Sequence, residues 1–266
     1  MYSMELYHHG ILGQRWGVRR YQNEDGSLTE AGRLRYSQTN SIRRNKDGSY
    51  TIPPNYRFNR VGESQLTKNI QGSIYLSDAD TNDVYRYIQS LGPSLVANLA
   101  KTAHHNVLHI KAKENMTMPS DKQMAKMCAK FLVENDDAFK AFNDSLFAYA
   151  LSPTEEITQK TIAKALKNND ANFIQKTGYY YDATFGNPIF TPHTKNFYDY
   201  ARKQGYDMLP DIYDRMAGAS ETAMICINTD KLDVVEKTYI NKDLYKAAKK
   251  KVKEAGRLPV SDILRS

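Results

Sequence analysis

The spacing of apolar side chains changes along the chain. Residues 56–61 and 107–112 alternate between apolar and polar positions, which is typical of half-buried strands, and residues 73–77 and 223–227 are predicted as two further strands. Residues 81–91 place their apolar side chains on one helical face before Gly92-Pro93. Strands therefore occur near both ends of this part of the chain.

Helical spacing dominates the middle. Pro119-Ser120 favours a helix start, and apolar residues then recur at intervals of three and four positions at Met124, Met127, Cys128, Phe131 and Leu132. This texture continues to about residue 173, and a loop containing Tyr179-Tyr180-Tyr181 is predicted next. The order of strands, helical block and strands predicts one α+β domain over residues 53–266, with a small sheet and a central helical block.

The first 52 residues show neither the helical nor the alternating spacing of apolar residues. Glycine turns interrupt the segment and Pro53-Pro54 follows it, so residues 1–52 are predicted as a mostly extended N-terminal arm. Thr29 could cap a short helix, and Asp47-Gly48 lies between Arg43-Arg44 and residues 50–52 in a pattern that favours a small hairpin.

Charge is concentrated at both ends. Of the 266 residues, residues 1–60 and residues 231–266 each hold 10 basic and 5 acidic side chains, and the net charge of the chain is +7. Basic ends on a slightly acidic body are typical of a domain with two attachment segments. A predicted lysine-rich helix at residues 242–254 could contact DNA weakly and without sequence specificity.

Several function classes are disfavoured. No phosphate-loop or dinucleotide-binding glycine pattern occurs, and no apolar run reaches the ~18 residues of a membrane span, so no membrane association is expected. His104, His105 and His109 lack a carboxylate or thiol that would complete a metal site, so no metal is predicted. Cys128 and Cys226 lie in apolar patterns and are interpreted as core thiols of a protein from a reducing compartment.

The segment from residue 7 to residue 21 is the most unusual part of the sequence. It contains the single tryptophan of the chain together with three glycines and three arginines, in a stretch too short to form a core. Trp and Arg often dominate binding energy at interfaces. One interpretation is a linear docking peptide, and the other is an arm that folds back on its own domain. The predicted partner-binding residues are His8, His9, Ile11, Leu12, Trp16, Arg19, Arg20 and Tyr21.

Residues 8–32 closely resemble a module of the form HHGILGxxWGVRRYQNxDGxLTxAG. This module occurs in structural-region proteins of tailed bacteriophages and prophages of Gram-positive hosts, where it accompanies differing downstream domains. The resemblance implies a virion or head-assembly protein that docks to a component of the head or portal region. It also favours the docking interpretation, because a peptide that accompanies different domains cannot depend on one of them for its fold. The expected locations are the virion and, during assembly, the host cytoplasm.

The rest of the chain resembles the uncharacterised phage domain that often accompanies the module, through short patterns at Arg57, Arg60-Val61, residues 74–77, Pro119-Ser120, residues 205–207, Asp211, Asp214 and residues 223–227. Its layout also resembles ADP-ribosyltransferases, which bind NAD with residues from three strands. That resemblance implies Arg57 or Arg60 from the first strand, Ser77 from the second (with Tyr75 nearby), and Glu221, which here precedes the third strand.

The leading expectation is therefore a non-enzymatic virion protein without a cofactor. The alternative is an ADP-ribosyltransferase-like effector that uses NAD and is packaged in the virion or expressed in the host. A further alternative is an inhibitor of a host defence protein, suggested by the small size of the chain and by its tyrosine-rich loops.

Overall fold

The computed structural model describes Thr29, Lys68 and residues 41–63, 72–102, 105–148, 156–185 and 189–262. Contacts divide the chain into two units, Met1–Ser41 and Ile42–Ser266. The elements described below all belong to the second unit. The predicted extended arm and the predicted helix after Thr29 lie mostly outside the described residues.

Strands of the second unit form two sheets. Their bounds are β1 (Arg43–Arg44), β2 (Tyr50–Ile52), β3 (Arg57–Glu63), β4 (Ile74–Asp78), β5 (His105–Ala112), β6 (Met116–Met118), β7 (Met208–Pro210), β8 (Met224–Cys226) and β9 (Leu232–Tyr239). The larger sheet has the order β7-β8-β4-β3-β5-β9, the smaller sheet has the order β1-β2-β6, and the paired neighbours are antiparallel.

Helices lie mainly between β6 and β7. The helices of the described residues are α1 (Asp83–Ser90), α2 (Gly92–Thr102), α3 (Asp121–Glu134), α4 (Asp136–Ala148), α5 (Gln159–Asn168), α6 (Ala171–Ala183), α7 (Thr191–Lys203), α8 (Ile212–Met216) and α9 (Lys242–Ala255). We refer to α3 to α8 as the helical block. The predicted α+β class is confirmed. Among the described residues, no helix is long and apolar enough to cross a membrane.

The predicted hairpin at Asp47-Gly48 is confirmed, but it does not belong to a separate arm. Gly48 has a φ of 88°, and the carboxylate of Asp47 accepts hydrogen bonds from the backbone nitrogen and the hydroxyl of Ser49. Strand β2 then pairs with β6, and Ile52 is fully buried. Residues 43–52 are therefore part of the folded body, because their backbone groups complete its smaller sheet. The boundary lies at Ser41, earlier than the predicted boundary after residue 52.

The larger sheet is covered on both faces. One face packs against the smaller sheet through Ile52, Phe58, Ile74, Leu76, Leu108, Ile110, Met116, Met118, Met208, Met224 and Cys226. The opposite face is covered by the helical block over β7 and β8, where Leu209 and Ile225 join the helical core. Over β3 and β5 it is covered by α1, α2 and α9, which contact Val61 and Val107.

Aromatic rings fill the helical block. The ring of Tyr181 lies 5.1 Å from those of Phe185 and Phe197, and 6.0 Å from that of Phe142. The predicted loop around Tyr179-Tyr180-Tyr181 was wrong, because these residues lie within α6. The buried ring of Tyr181 joins a core that contributes more to stability than the low helix propensity of a tyrosine run costs.

Candidate functional site

The larger sheet opens between β3 and β4. Only two residue pairs join these strands, Phe58 with Asp78 and Asn59 with Ser77, whereas β3 pairs with β5 along its whole length. Arg60 reaches across the opening, and its Nη1 donates a hydrogen bond to the carbonyl oxygen of Tyr75 at 3.3 Å. A cleft of about 250 Å³ lies here, and its lining includes Arg60, Tyr75, Asn59, Ser77 and Tyr87.

Two buried polar side chains end the β3–β4 ladder. Asn59 is 6% exposed and Ser77 is 2% exposed, and as cross-strand partners they point to the same side of the sheet. Within the described residues the hydroxyl of Ser77 forms no hydrogen bond. Asn59 uses its oxygen to accept a hydrogen bond from Nδ1 of His109 at 2.9 Å. The Ser77 hydroxyl therefore offers a polar group to this cleft.

Helix α1 separates this cleft from a larger one. Tyr87 and Ser90 of α1 line the smaller cleft, while Val84 and Ile88 line a cleft of about 530 Å³ on the other side. Asn59 borders both clefts because α1 crosses the sheet above β3. A short helix laid on one strand thus creates two concave surfaces instead of a closed layer.

Three aspartates lie behind the smaller cleft. Tyr87 donates a hydrogen bond from its hydroxyl to Asp214 at 2.8 Å, Asp211 accepts one from the backbone nitrogen of Asp214, and Asp182 accepts one from the backbone nitrogen of Tyr213. Burial, together with the charge of Asp214, raises the pKa of Asp211 to about 7. Burial and the neighbouring Asp211 likewise raise the pKa of Asp182. The group therefore holds protons that isolated carboxyls would release.

Glu221 lies in a loop that is fixed by a fully buried aspartate. The carboxylate of Asp83 accepts hydrogen bonds from the Ser220 hydroxyl at 2.7 Å, from the Glu221 nitrogen at 3.0 Å, and from the nitrogen and hydroxyl of Thr222 at 2.8 and 2.7 Å. The Glu221 side chain is 46% exposed, and its Oε1 lies 3.9 Å from Nη2 of Arg86. Glu221 lines neither of the two clefts.

The structure brings together only part of the set implied by the ADP-ribosyltransferase resemblance. Arg60 and Ser77 line the smaller cleft, Arg57 lines the larger cleft, and Glu221 lies outside both. The strands β3, β4 and β8 that carry or follow these residues are neighbours in the sheet. The partner-binding residues of the arm, His8, His9, Ile11, Leu12, Trp16, Arg19, Arg20 and Tyr21, lie outside the described residues.

Other residues singled out in the sequence have structural positions. Cys128 and Cys226 are buried, and burial raises the pKa of both thiols, consistent with their interpretation as core residues. His109 is held between Asn59 and Thr238. Within the described residues, no group of three or more His, Cys, Asp or Glu side chains is arranged to hold a metal ion.

Sequence reasoning missed Asn59, Thr238 and Asp83. Asn59 occupies an inward position of the alternating pattern in residues 56–61. A polar amide at such a position is the feature of the sequence that could have indicated a hydrogen-bonded site. Thr238 lies on β9, a strand that was not predicted. No local pattern distinguishes Asp83 from an ordinary acidic residue in the first turn of a helix.

Comparison with models of protein families, with curated proteins and with solved structures finds no significant match to this chain.

Proposed function

We propose that this chain is a bacteriophage virion-associated protein that docks to a head or portal component through its N-terminal module. The position of the module carries the proposal. Residues 8–32 all precede Ser41, where contacts divide the chain, and the sheets and helices of the body are built from residues after Ser41. The body after Ser41 contains its own sheets, helices and buried cores. A docking peptide with Trp16 at its centre is consistent with this organisation.

Incorporation into particles tests the docking role. Wild type and Trp16→Ala are supplied in turn to an induced prophage that lacks the gene, and the protein in purified particles is quantified by peptide mass spectrometry. Loss of the indole should weaken docking by about 2 kcal/mol, or roughly thirtyfold. Tyr2→Ala is the matched control, because it removes an aromatic ring that precedes the module. The thermal melt of Trp16→Ala should equal that of wild type.

Two results would contradict the proposal. The first is a wild-type protein that is absent from purified particles. The second is a Trp16→Ala variant that melts several degrees lower yet is incorporated normally, because the tryptophan would then belong to the fold of this chain.

One observation favours a second candidate, an ADP-ribosyltransferase-like effector. Arg60 and Ser77 come from adjacent strands and line the same cleft, as the resemblance requires of an NAD site. The position of Glu221 beside Arg86 is the reason for ranking it second. A glutamate that stabilises positive charge developing in the transition state must face the scissile bond.

Turnover separates the two candidates. We expect purified wild type to show no NAD hydrolysis and no transfer of labelled ADP-ribose above the blank. Activity in wild type that is lost in Glu221→Gln, with NAD binding retained, would replace the leading candidate by the second.

A further inference from the structure

The larger cleft has the size and walls of a small-molecule site. It has a volume of about 530 Å³ and lies between the larger sheet and helices α1 and α9. Val84, Ile88 and Leu244 supply an apolar wall. Ligand sites in proteins commonly span about 300 to 1,000 Å³ and combine apolar walls with a few polar groups.

The floor of this cleft is a row of hydrogen-bonded side chains on three adjacent strands. His109 on β5 donates from Nδ1 to the amide oxygen of Asn59 on β3, and its Nε2 shares a hydrogen bond of 2.8 Å with the hydroxyl of Thr238 on β9. This row fixes the orientation of the Asn59 amide. Its Nδ2 forms no hydrogen bond within the described residues, although the residue is only 6% exposed. Because Asn59 lines the cleft, this amide nitrogen is available to an acceptor on a ligand.

Two cations lie opposite each other beside this floor. Arg57, which lines the cleft, pairs across the strands with Lys111, so both side chains project from the same side of the sheet. Neither forms an ion pair among the residues that the structure describes. Like charges on directly opposite residues destabilise a sheet, and a bound anion would relieve this repulsion. Asp80 and Glu236 lie on the exposed rim of the cleft, and Asp233 is the partner of Lys111 on β9.

We propose that this cleft binds a small amphiphilic organic acid, with its apolar body against α1 and α9 and its acidic group toward Arg57. Asn59 donates from Nδ2 to an oxygen of the ligand. Asp80, Glu236 and Asp233 oppose an anion where Arg57 attracts it, so the charge that the cleft prefers tests whether Arg57 dominates. The inference is independent of docking through the N-terminal module.

Two fluorescent probes with related aromatic bodies test the proposal on the full chain. The first, 8-anilinonaphthalene-1-sulfonate, carries an anionic group, and the second, N-phenyl-1-naphthylamine, is neutral. We expect saturable binding of one anionic probe per chain, displaced by decanoate at lower concentration than by decanol or by decyltrimethylammonium. Arg57→Gln should weaken binding of the anionic probe at least tenfold and change binding of the neutral probe less than twofold.

Matched variants distinguish the cleft from other surfaces. Arg43→Gln is the control for Arg57→Gln, because Arg43 is also an exposed strand arginine but lies on β1, outside the cleft. Leu244→Trp should fill the cleft and reduce binding of both probes. Arg57→Lys keeps the charge and should retain most of the affinity, so it tests the proposal even if Arg57→Gln folds poorly. Equal effects of Arg43→Gln and Arg57→Gln, or stronger competition by the cationic amphiphile, would overturn the proposal.

Discussion

The same face of the larger sheet is covered in two different ways. Over β7 and β8 the helical block closes on Leu209 and Ile225 with a continuous aromatic core. Over β3, β5 and β9, helices α1 and α9 leave a cleft of about 530 Å³ above Asn59. The side chains on the sheet explain the difference, because apolar residues draw helices into close contact, whereas a hydrogen-bonded polar row keeps them apart.

Close approach within the helical block is visible at one glycine. A Cβ atom at Gly178 on α6 would lie 2.7 Å from the Cβ of Ala125 on α3. Small residues on both helices therefore allow the backbones to meet, and the aromatic rings fill the remaining space. Beside the larger cleft, by contrast, α1 contributes two buried apolar side chains, Val84 and Ile88. We therefore expect side-chain packing to contribute more to stability in the helical block than around the clefts.

Removing one ring from each region should give the largest contrast. Phe197 is fully buried, and its ring lies 5.4 Å from Phe131 and 5.1 Å from Tyr181. Phe197→Ala should therefore lower the free energy of unfolding by about 3 to 5 kcal/mol. Tyr85→Ala removes a half-buried ring from the wall of the larger cleft and should cost about 1 kcal/mol. Urea denaturation at one pH measures both.

Equal costs for these two variants would remove the distinction between a packed region and an open one. A greater cost for Tyr85→Ala would reverse it. The slope of the free energy against urea concentration should match wild type in both cases, because neither substitution is expected to alter the compactness of the native or unfolded state.

The buried aspartates lie where the two regions meet, and they give a pH dependence. Because the pKa of Asp211 is raised to about 7, the folded protein keeps a proton that the unfolded chain releases above its ordinary value of 3.8. The contribution of this group to stability is therefore greatest at low pH and is lost as the pH rises through about 7. This group should make unfolding easier by about 2 kcal/mol at pH 8 than at pH 5. Asp211→Asn should flatten this dependence while keeping an acceptor for the Asp214 nitrogen.

The exposed Asp137 provides the control. Asp137→Asn should leave the difference in stability between pH 5 and pH 8 as it is in wild type. If Asp211→Asn retained the full wild-type difference, the proton held near the smaller cleft would belong to another group.

Local signals predicted much of the fold. Ser120 forms a capping box with Gln123 at the start of α3, as Pro119-Ser120 indicated, and the predicted strands at residues 107–112 and 223–227 correspond to β5 and β8. The predicted helix at residues 81–91 corresponds to α1. These elements were visible because their periodicity, caps and turns are encoded within a few neighbouring residues.

Tertiary interactions decided the rest. Strand β9 was missed because only its first residue is buried, so its sequence carries little apolar alternation, and pairing with β5 holds it in place. Helix α2 begins at Gly92, where a helix end was predicted. The clefts depend on Asn59, Ser77 and Thr238, which meet through strand pairing at separations in the sequence that no motif spans.

The smallest expected effect on stability concerns the cationic surface of α9. The helix is confirmed at Lys242–Ala255, where Leu244 and Ala248 pack on the body. Lysines 246, 249, 250, 251 and 253 are exposed. Their joint replacement by glutamine should change the free energy of unfolding by about 0.5 kcal/mol or less, because solvated charges contribute little.

If the surface contacts phosphate, wild type should be retained weakly on DNA in low salt, irrespective of sequence, and released near physiological ionic strength as counterions compete. The glutamine variant should lose this retention and still enter particles. Tight binding to one DNA sequence that resists salt would contradict a role as a structural protein, since counterion release alone cannot produce it.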